Sequence, residues 1–341
     1  MMTQVAVVIL NWNGKKYLEQ YLPSVLKHSA GPGYRIVVAD NNSSDDSVSF
    51  IRNHFPEIGI ITFDKNHGFS RGYALALSQI EAEYYVLLNS DVEVTENWLD
   101  PLLKIMDSDE RIAAVMPKIR SYNRMDFFEY AGAAGGYIDK YGYPFCRGRI
   151  LTCTEKDEGQ YDDLKEIFWA SGACMFLRAK AYRRTGGFDG DFFAHMEEID
   201  LCWRLKRLGY TIYYCPDSVV YHVGGGTLPN DNPRKLYYNY RNSLFLLFKN
   251  INPAGFITIL LPRIFLDAIS AMAYLIQGKV SFFLAVLRAH CRFYWKLPLL
   301  VNKRTIFNRI IARNNVTMIY PKSIVYQFFV KKIRNFRQLN F

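Results

Sequence analysis

A chain of 341 residues, half of them apolar, can build one large domain, or one domain with an appendage. Its six cysteines (Cys146, Cys153, Cys174, Cys202, Cys215 and Cys291) show neither C-x-x-C pairing nor zinc spacing, which argues against a zinc module or disulfide framework and for reduced, mostly buried thiols in a cytoplasmic protein. The net charge of +10 is uneven: from Lys249 onward 15 Lys/Arg face the single acid Asp267, whereas the preceding residues hold 27 basic and 31 acidic side chains. The first apolar run, residues 5–10, is short, has no basic residues before it and meets Asn11 at once, so it reads as a strand rather than a signal peptide. Tyr17, Leu18, Tyr21, Leu22, Val25 and Leu26 then recur at helical spacing, with Pro23 expected to kink or break the helix. A strand over 36–39 closes on Asp40-Asn41-Asn42-Ser43-Ser44-Asp45, where Ser44 or Asp45 can cap a helix through Ile51. A third strand covers 58–63, a helix opens over 73–80, and a fourth strand over 84–88 ends at Asn89-Ser90-Asp91. A helix from Thr95 through Met106 and a strand over 113–116 follow.

Alternating strands and helices, with near-continuous apolar strands, predict a mostly parallel sheet covered by helices on both faces. Such sheets bind ligands beyond the carboxyl ends of their strands. The polar clusters at 11–14, 40–45, 66–71 and 89–91 all fall on that rim and together predict a site.

From Ser121 to about Lys165 the pattern loosens into a Gly/Tyr-rich stretch, expected to be a long excursion over the site. Residues 173–178 read as a strand, 199–208 as an amphipathic helix ended by Gly209, and 211–215 and 218–221 as two short strands before Gly224-Gly225-Gly226. The segment 254–276 comes nearest to a membrane span. It carries Arg263 and Asp267, however, and a charge near the centre of a span costs about 2.5–3.5 kcal/mol even on insertion scales. Helices lying in the interface of an anionic membrane are therefore expected, with Tyr294, Trp295 and the surrounding Lys/Arg at headgroup level. Aromatics interleaved with basic residues could also stack nucleic-acid bases, but a long apolar tail fits lipid better and no nucleic acid is expected.

Several residues carry chemistry. Asp91, closing an apolar strand, can bind a hard divalent cation, Mg2+ or Mn2+, with a nucleotide diphosphate supplying further oxygen ligands; the plain alternative is a helix cap. Asp40 can accept from a base imide or a ribose hydroxyl, or simply close an Asx turn. Asn66-His67-Gly68-Phe69-Ser70-Arg71-Gly72 combines glycines for close approach with a cation for phosphate, without Walker or dinucleotide spacing. In Phe192-Phe193-Ala194-His195-Met196-Glu197-Glu198-Ile199-Asp200, Asp200 can pair with Arg204 at i,i+4, which leaves Glu197 and Glu198 as candidate bases behind an aromatic acceptor wall. Trp169, Asp200 and Arg204 are placed on the acceptor side. His222, after a strand, is either structural or the nitrogen partner of Asp91 on a metal.

Taken in order, residues 7–14, 37–45, 66–69, 87–91, 186–189 and 197–201 resemble the motifs of family 2 glycosyltransferases of the GT-A fold, over about residues 4–225, and most closely the rhamnosyltransferase-like bacterial enzymes of surface-polysaccharide synthesis. The resemblance implies a catalytic domain over 1–248, with a nucleotide-sugar half to about 118 and an acceptor half beyond it, and a basic helical region over 249–341. It implies donor contacts from Asn11, Asn13, Asp40, Asn42, Asn66, Gly68, Arg71, Asn89, Ser90 and Asp91, with Asn11 and Asp40 at the nucleoside and Arg71 near the diphosphate. It implies metal ligation by Asp91 and His222, and base catalysis by Glu198 with Glu197 beside it. Two positions depart from the family pattern: Asn89 stands where the first acid of D-x-D is usual, and Glu197-Glu198 where Glu-Asp is usual. The expected activity is inverting transfer from dTDP-rhamnose or a UDP-sugar to a saccharide or lipid-linked acceptor, by a cytoplasmic enzyme held at the inner face of the cell membrane. A sugar-1-phosphate nucleotidylyltransferase is the rival enzyme reading, but it needs a Gly-rich basic loop where this chain has Asn11-Trp12-Asn13-Gly14.

Overall fold

A computed structural model describes residues 3–224, 232–311 and 316–341. Apolar strands stack side by side into a ten-stranded sheet. At its centre β1 (Val5–Asn11) lies parallel to β2 (Tyr34–Asp40) and β4 (Tyr84–Asn89), and β3 (Gly59–Thr62) lies parallel to β2 at the edge. Beyond β4 runs the antiparallel β13 (Cys174–Arg178), then β6 (Ile112–Ser121), β14 (Thr211–His222) and β12 (Lys165–Glu166). Two short strands attach to this path, β5 (Val92–Val94) to β14 and β7 (Arg124–Phe128) to β6. Both faces of the central strands are buried, which is why their sequences are continuous apolar runs rather than alternating ones.

Helices α1 (Lys15–His28), α2 (Ser47–His54), α3 (Gly68–Leu77), α4 (Asp100–Ser108), α5 (Ala179–Arg184) and α6 (Glu197–Arg207) connect the strands. Helix α1 continues through Pro23 instead of ending there. Helix α3 starts at Gly68, five residues before the expected Tyr73, because Asn66 Oδ1 accepts the Gly68 N–H (2.8 Å) and Phe193 O accepts the Ser70 N–H (3.0 Å). Thr95 does not begin a helix. The chain first pairs as β5, and the Thr95 hydroxyl donates to Val219 O (2.8 Å), so α4 waits until Asp100. The two short strands expected over 211–221 are one, β14, interrupted by a bulge between Cys215 and Val219.

The Gly/Tyr-rich stretch is not a bare loop. It holds β7 and most of a second, five-stranded sheet: β8 (Gly136–Asp139), β9 (Pro144–Cys146), β10 (Arg149–Ile150) and β11 (Cys153–Thr154), completed by β15 (Ile319–Tyr320) from the C-terminal region. That region is therefore stitched into the body. Its helices are α7 (Pro233–Asn250), α8 (Phe256–Ile276), α9 (Val280–Trp295), α10 (Leu297–Asn308) and α11 (Ile324–Phe329). The expected boundary at 248 falls in the last turn of α7. Helix α8 buries Leu260, Arg263, Asp267 and Ala271 and exposes Ile257, Leu261, Phe265, Ile269, Met272 and Ile276, two opposed stripes at helical spacing. Its charges lie on the inner stripe: Arg263 Nε donates to Asp267 Oδ1 (2.9 Å), Tyr143 donates to the same oxygen (2.9 Å), and His290 Nε2 stands 3.2 Å from Asp267 Oδ2.

Candidate active site

Strand register sets the site. Asn11 lies opposite Asp40 across β1 and β2, and Leu10 lies opposite Asn89 across β1 and β4, so the three polar strand ends share one rim. Beside them Asn89 N–H donates to Ala173 O (3.0 Å), just ahead of β13. The expected rim forms as predicted, and it is closely cross-linked.

Asp40 is buried and does close an Asx turn. Its Oδ2 accepts the Ser43 N–H (2.9 Å), and its Oδ1 accepts the Ser43 hydroxyl (2.6 Å) and Asn11 Nδ2 (3.0 Å). Asn11 is fully buried, so its structural part is to orient Asp40 from behind. Asn13 and Asn42 both adopt left-handed backbone (φ 51° and 61°), and Asn13 Oδ1 accepts the Ser44 N–H (2.7 Å), tying the first loop to the second. Asn41, which sequence reasoning passed over, joins the third cluster: its Nδ2 donates to Asn66 Oδ1 (3.1 Å) and Gly68 O (3.1 Å), and its Oδ1 accepts the His67 N–H (2.9 Å). A Cβ on Gly14 would lie 3.4 Å from Ser90 Oγ, which places Ser90 beside the first loop. Arg71 is exposed and borders a groove of about 470 Å³ with Ala74, Leu75, Gly190, Asp191 and Lys303.

At the end of β4, Asp91 Oδ1 stands 3.2 Å from His222 Nε2, and Asn89 Nδ2 lies 3.4 Å from the same nitrogen. His222 Nδ1 is 3.4 Å from Glu129 Oε2, a carboxylate that nothing in the sequence flagged. Asp91, His222 and Glu129 are all buried. Burial alone would strip the imidazole of its proton, but Glu129 and Asp91 outweigh it and lift the His222 pKa to about 10. Burial would likewise raise Asp91, but the charge and hydrogen bond of His222 prevail and hold its carboxyl below the usual range. A carboxylate oxygen and an imidazole nitrogen side by side, with the other ring nitrogen backed by a carboxylate, are a donor set that suits a divalent cation. Among the described residues no group of three His, Cys, Asp or Glu side chains could hold a metal unaided. Two protein ligands plus a diphosphate is thus the fit that these residues allow.

Glu197 and Glu198 open α6. Glu197 is 4 % exposed; Glu198 is more accessible, and its Cβ lies near Gly172, which also faces the Phe69 ring. Gly172 precedes Ala173, the neighbour of Asn89, so Glu198 reaches the same rim. One oxygen of each glutamate is buried without a hydrogen-bond partner. Burial pushes Glu198 up to about 7, and burial together with the Glu198 charge raises Glu197 well above the carboxylate range. A partly exposed carboxylate whose pKa is near neutrality is suited to general-base work.

Residues 6–186 match the sequence profile of the family described as glycosyl transferase family 2. The chain belongs to that family. It is 24 % identical over 259 residues to an N-acetylglucosaminyl-diphospho-decaprenol L-rhamnosyltransferase of Mycobacterium tuberculosis, covering 71 % of this chain and 83 % of the relative. It is 24 % identical over 219 residues to the rhamnosyltransferase WbbL of Escherichia coli K12, covering 62 % and 80 %. The fold is shared with GalNAc-T7, solved with UDP, GalNAc and Mn2+ (TM-score 0.59, 15 % identity, 75 % of this chain and 50 % of that one). It is the GT-A fold, and family membership favours a glycosyltransferase over the nucleotidylyltransferase reading.

Three residues expected on the acceptor side of this family 2 enzyme are structural instead. Trp169 is buried, with its indole N–H donated to Tyr137 O (2.9 Å) and its ring packed on Gly136. Asp200 and Arg204 do pair at i,i+4 (2.8 Å), and they sit in a buried web: Asp200 also takes Lys249 (2.8 Å) and Asn250 (2.9 Å), while Arg204 donates to Thr185 O and Gly187 O. Phe192 is core, edge-on to Phe245, and forms no acceptor wall. The six cysteines are free, four of them buried, as expected. Gly225 and Gly226 of the glycine run lie outside the described residues.

Proposed function

We propose that the chain transfers a sugar, with inversion and with help from Mg2+ or Mn2+, from dTDP-rhamnose or a UDP-sugar to a saccharide or lipid-linked saccharide in cell-surface polysaccharide synthesis. The observation that carries this reading is one rim holding both the Asp91–His222 pair and the basic carboxylate of Glu198. Rhamnosyl transfer to a lipid-diphosphate acceptor is favoured by the name of the mycobacterial relative.

Asp40, oriented by Asn11 and Ser43, has one lone-pair site left, on Oδ2, to accept the imide N–H that thymine and uracil share. Asp91 and His222 would hold the cation, and His222 must first release its Nε2 proton. The cation supplies charge neutralisation on the departing diphosphate. Glu198 removes the proton of the acceptor hydroxyl as that oxygen attacks the anomeric carbon from the face opposite the leaving group, and the diphosphate departs with the bonding pair. Glu197, protonated beside it, keeps a second negative charge away from the base.

The test is a panel of nucleotide sugars with prenyl-diphosphate-linked N-acetylglucosamine as acceptor, with and without MgCl2 or MnCl2. Transfer from dTDP-rhamnose or a UDP-sugar, lost with EDTA and in Asp91→Ala, is the expected result. Undiminished metal-free transfer would remove the cation from this reading.

A further inference from the structure

The loop that delivers Glu197 and Glu198 is strained. Three of its non-glycine residues are left-handed: Phe193 (φ 67°), His195 (φ 69°) and Met196 (φ 70°). A left-handed conformation costs an L-residue roughly 1–2 kcal/mol and persists only where the surroundings over-determine it. Here the surroundings come from α7. Asn242, fully buried, aims Nδ2 at Phe192 O (2.9 Å), Ala194 O (2.8 Å) and His195 O (2.7 Å). The preceding Arg241 sends Nη2 to Asp191 O (2.9 Å) and Phe192 O (2.7 Å), and its Nε to Asn242 Oδ1 (2.8 Å), which fixes the amide in the orientation that points its donors at the loop. Phe193 O is taken from the other side by Ser70 N–H of α3 (3.0 Å). Every carbonyl from 191 to 195 except that of Phe193 therefore takes a side-chain donor from Arg241 or Asn242, Phe192 O also accepting the Ala194 N–H (2.8 Å), and the chain enters α6 immediately afterwards.

We propose that Asn242, locked by Arg241, is a positioning residue for sugar transfer: it holds the left-handed loop 192–196 in the one conformation that sets the entry of α6 and the reach of Glu198. Its role in catalysis rests on Glu198 being the base; its role in holding the loop does not. Phe192 O keeps Arg241 and the Ala194 N–H without it, but Ala194 O and His195 O take the two Asn242 N–H donors, so shape alone cannot replace it. Aspartate matches asparagine in shape but turns an anion toward three carbonyl oxygens, and is the harsher substitution.

The experiment uses the full chain and the variants Asn242→Ala, Asn242→Asp and Arg241→Lys. Amide hydrogen exchange is followed over residues 189–197, and steady-state transfer is measured with whichever panel donor the wild type turns over. Exchange in the loop is expected to quicken about tenfold or more in Asn242→Ala. Transfer kcat should drop roughly 10–100-fold, in line with small misplacements of a catalytic group, while the donor KM stays within about twofold. The acid limb of the pH profile should move toward the ordinary carboxylate range as water reaches the loosened loop. Asn242→Asp should be worse than Asn242→Ala in both readouts. If either asparagine variant does not fold, Arg241→Lys, which keeps the charge and loses the fork, carries the same two measurements. Unchanged loop exchange overturns the proposal, and so does quickened exchange with kcat unchanged. Full turnover in Glu198→Gln would instead remove the base assignment, leaving the exchange result to decide the clamp alone.

Discussion

Glu198, the base we propose, sits in the fold at a cost in stability. Its carboxyl, raised by burial to about 7, is mostly protonated below that pH, so transfer should climb as pH rises through about 7 and then level off. A pH–kcat series on the wild type checks this; a flat profile from pH 5 to 8 would rule out Glu198 as the titrating base. Linkage sets the sign for stability. The folded pKa lies above the unfolded value of 4.5, so folding pays no penalty at pH 4, a growing one between 4.5 and 7, and the whole of it above 7. Glu198→Gln should accordingly abolish most transfer and yet stabilise the fold by about 1–3 kcal/mol at pH 8, with no gain at pH 4; denaturant midpoints at the two pH values measure it. Glu129 supports the opposite end of the rim. With its charge removed in Glu129→Gln, no carboxylate backs His222 Nδ1, and Mn2+ affinity in the presence of UDP or dTDP should weaken by roughly tenfold or more, read by calorimetric titration. Asp91, Asp40 and Glu198 were legible in the sequence because each closes a strand or opens a helix. Glu129 and Asn242 were not: they meet His222 and the 192–195 carbonyls across 93 and about 50 residues of chain, and only the tertiary fold brings them there.

Elements show the same division between local and non-local causes. The strands were readable because burial on both faces writes itself as uninterrupted Val, Ile and Leu. The start of α3 was not, since it depends on Asn66 and on a carbonyl of Phe193, 123 residues ahead of Ser70's own position in the chain. Neither was β5, three residues long and specified by its partner β14. The junction of α3 with the loop before α6 is correspondingly intolerant. Gly68 has φ +74°, and an added Cβ would sit 2.5 Å from the Phe193 ring and 2.7 Å from Phe193 O. The ring is held in a stack on Tyr238 and the carbonyl is bonded to Ser70, so neither yields easily. Gly68→Ala should cost about 1–3 kcal/mol by thermal or denaturant unfolding. It should also disturb Glu198 through the loop, so transfer should fall in the fraction that remains folded. A variant of wild-type stability would show that the loop can shift without strain.

At the scale of the molecule, charge and apolar exposure point the same way. The basic region expected from the sequence is interlocked with the catalytic body: Lys249 and Lys303 both reach Asp189, and β15 completes the second sheet. The stretch Pro253–Ile276, α8 with the short turn ahead of it, is long and apolar enough to cross a membrane by length and composition. Crossing would strip the Arg263–Asp267 pair, which stays intact on α8, of its contacts to Tyr143, Ser243 and His290, and each such hydrogen bond to a charged group is worth about 1.5–3 kcal/mol. Lying flat keeps those contacts and still places Ile257, Leu261, Phe265, Ile269, Met272 and Ile276 in the acyl boundary, while exposed Tyr294 and Trp295 on α9 suit the headgroup level. The charges that argue against a span are the ones whose contacts fix α8 to the body. The full chain should sediment with vesicles containing anionic phospholipid, less with purely zwitterionic ones, and less as salt rises. Leu261→Ser, Phe265→Ser and Ile269→Ser together remove three exposed apolar side chains without touching the inner stripe, so they should weaken vesicle binding at least tenfold at unchanged thermal stability. Transfer to a short, water-soluble saccharide acceptor should survive in that variant while transfer to the same sugar on a lipid carrier in vesicles falls. Vesicle binding equal to wild type would show that this face is not what holds the chain to lipid.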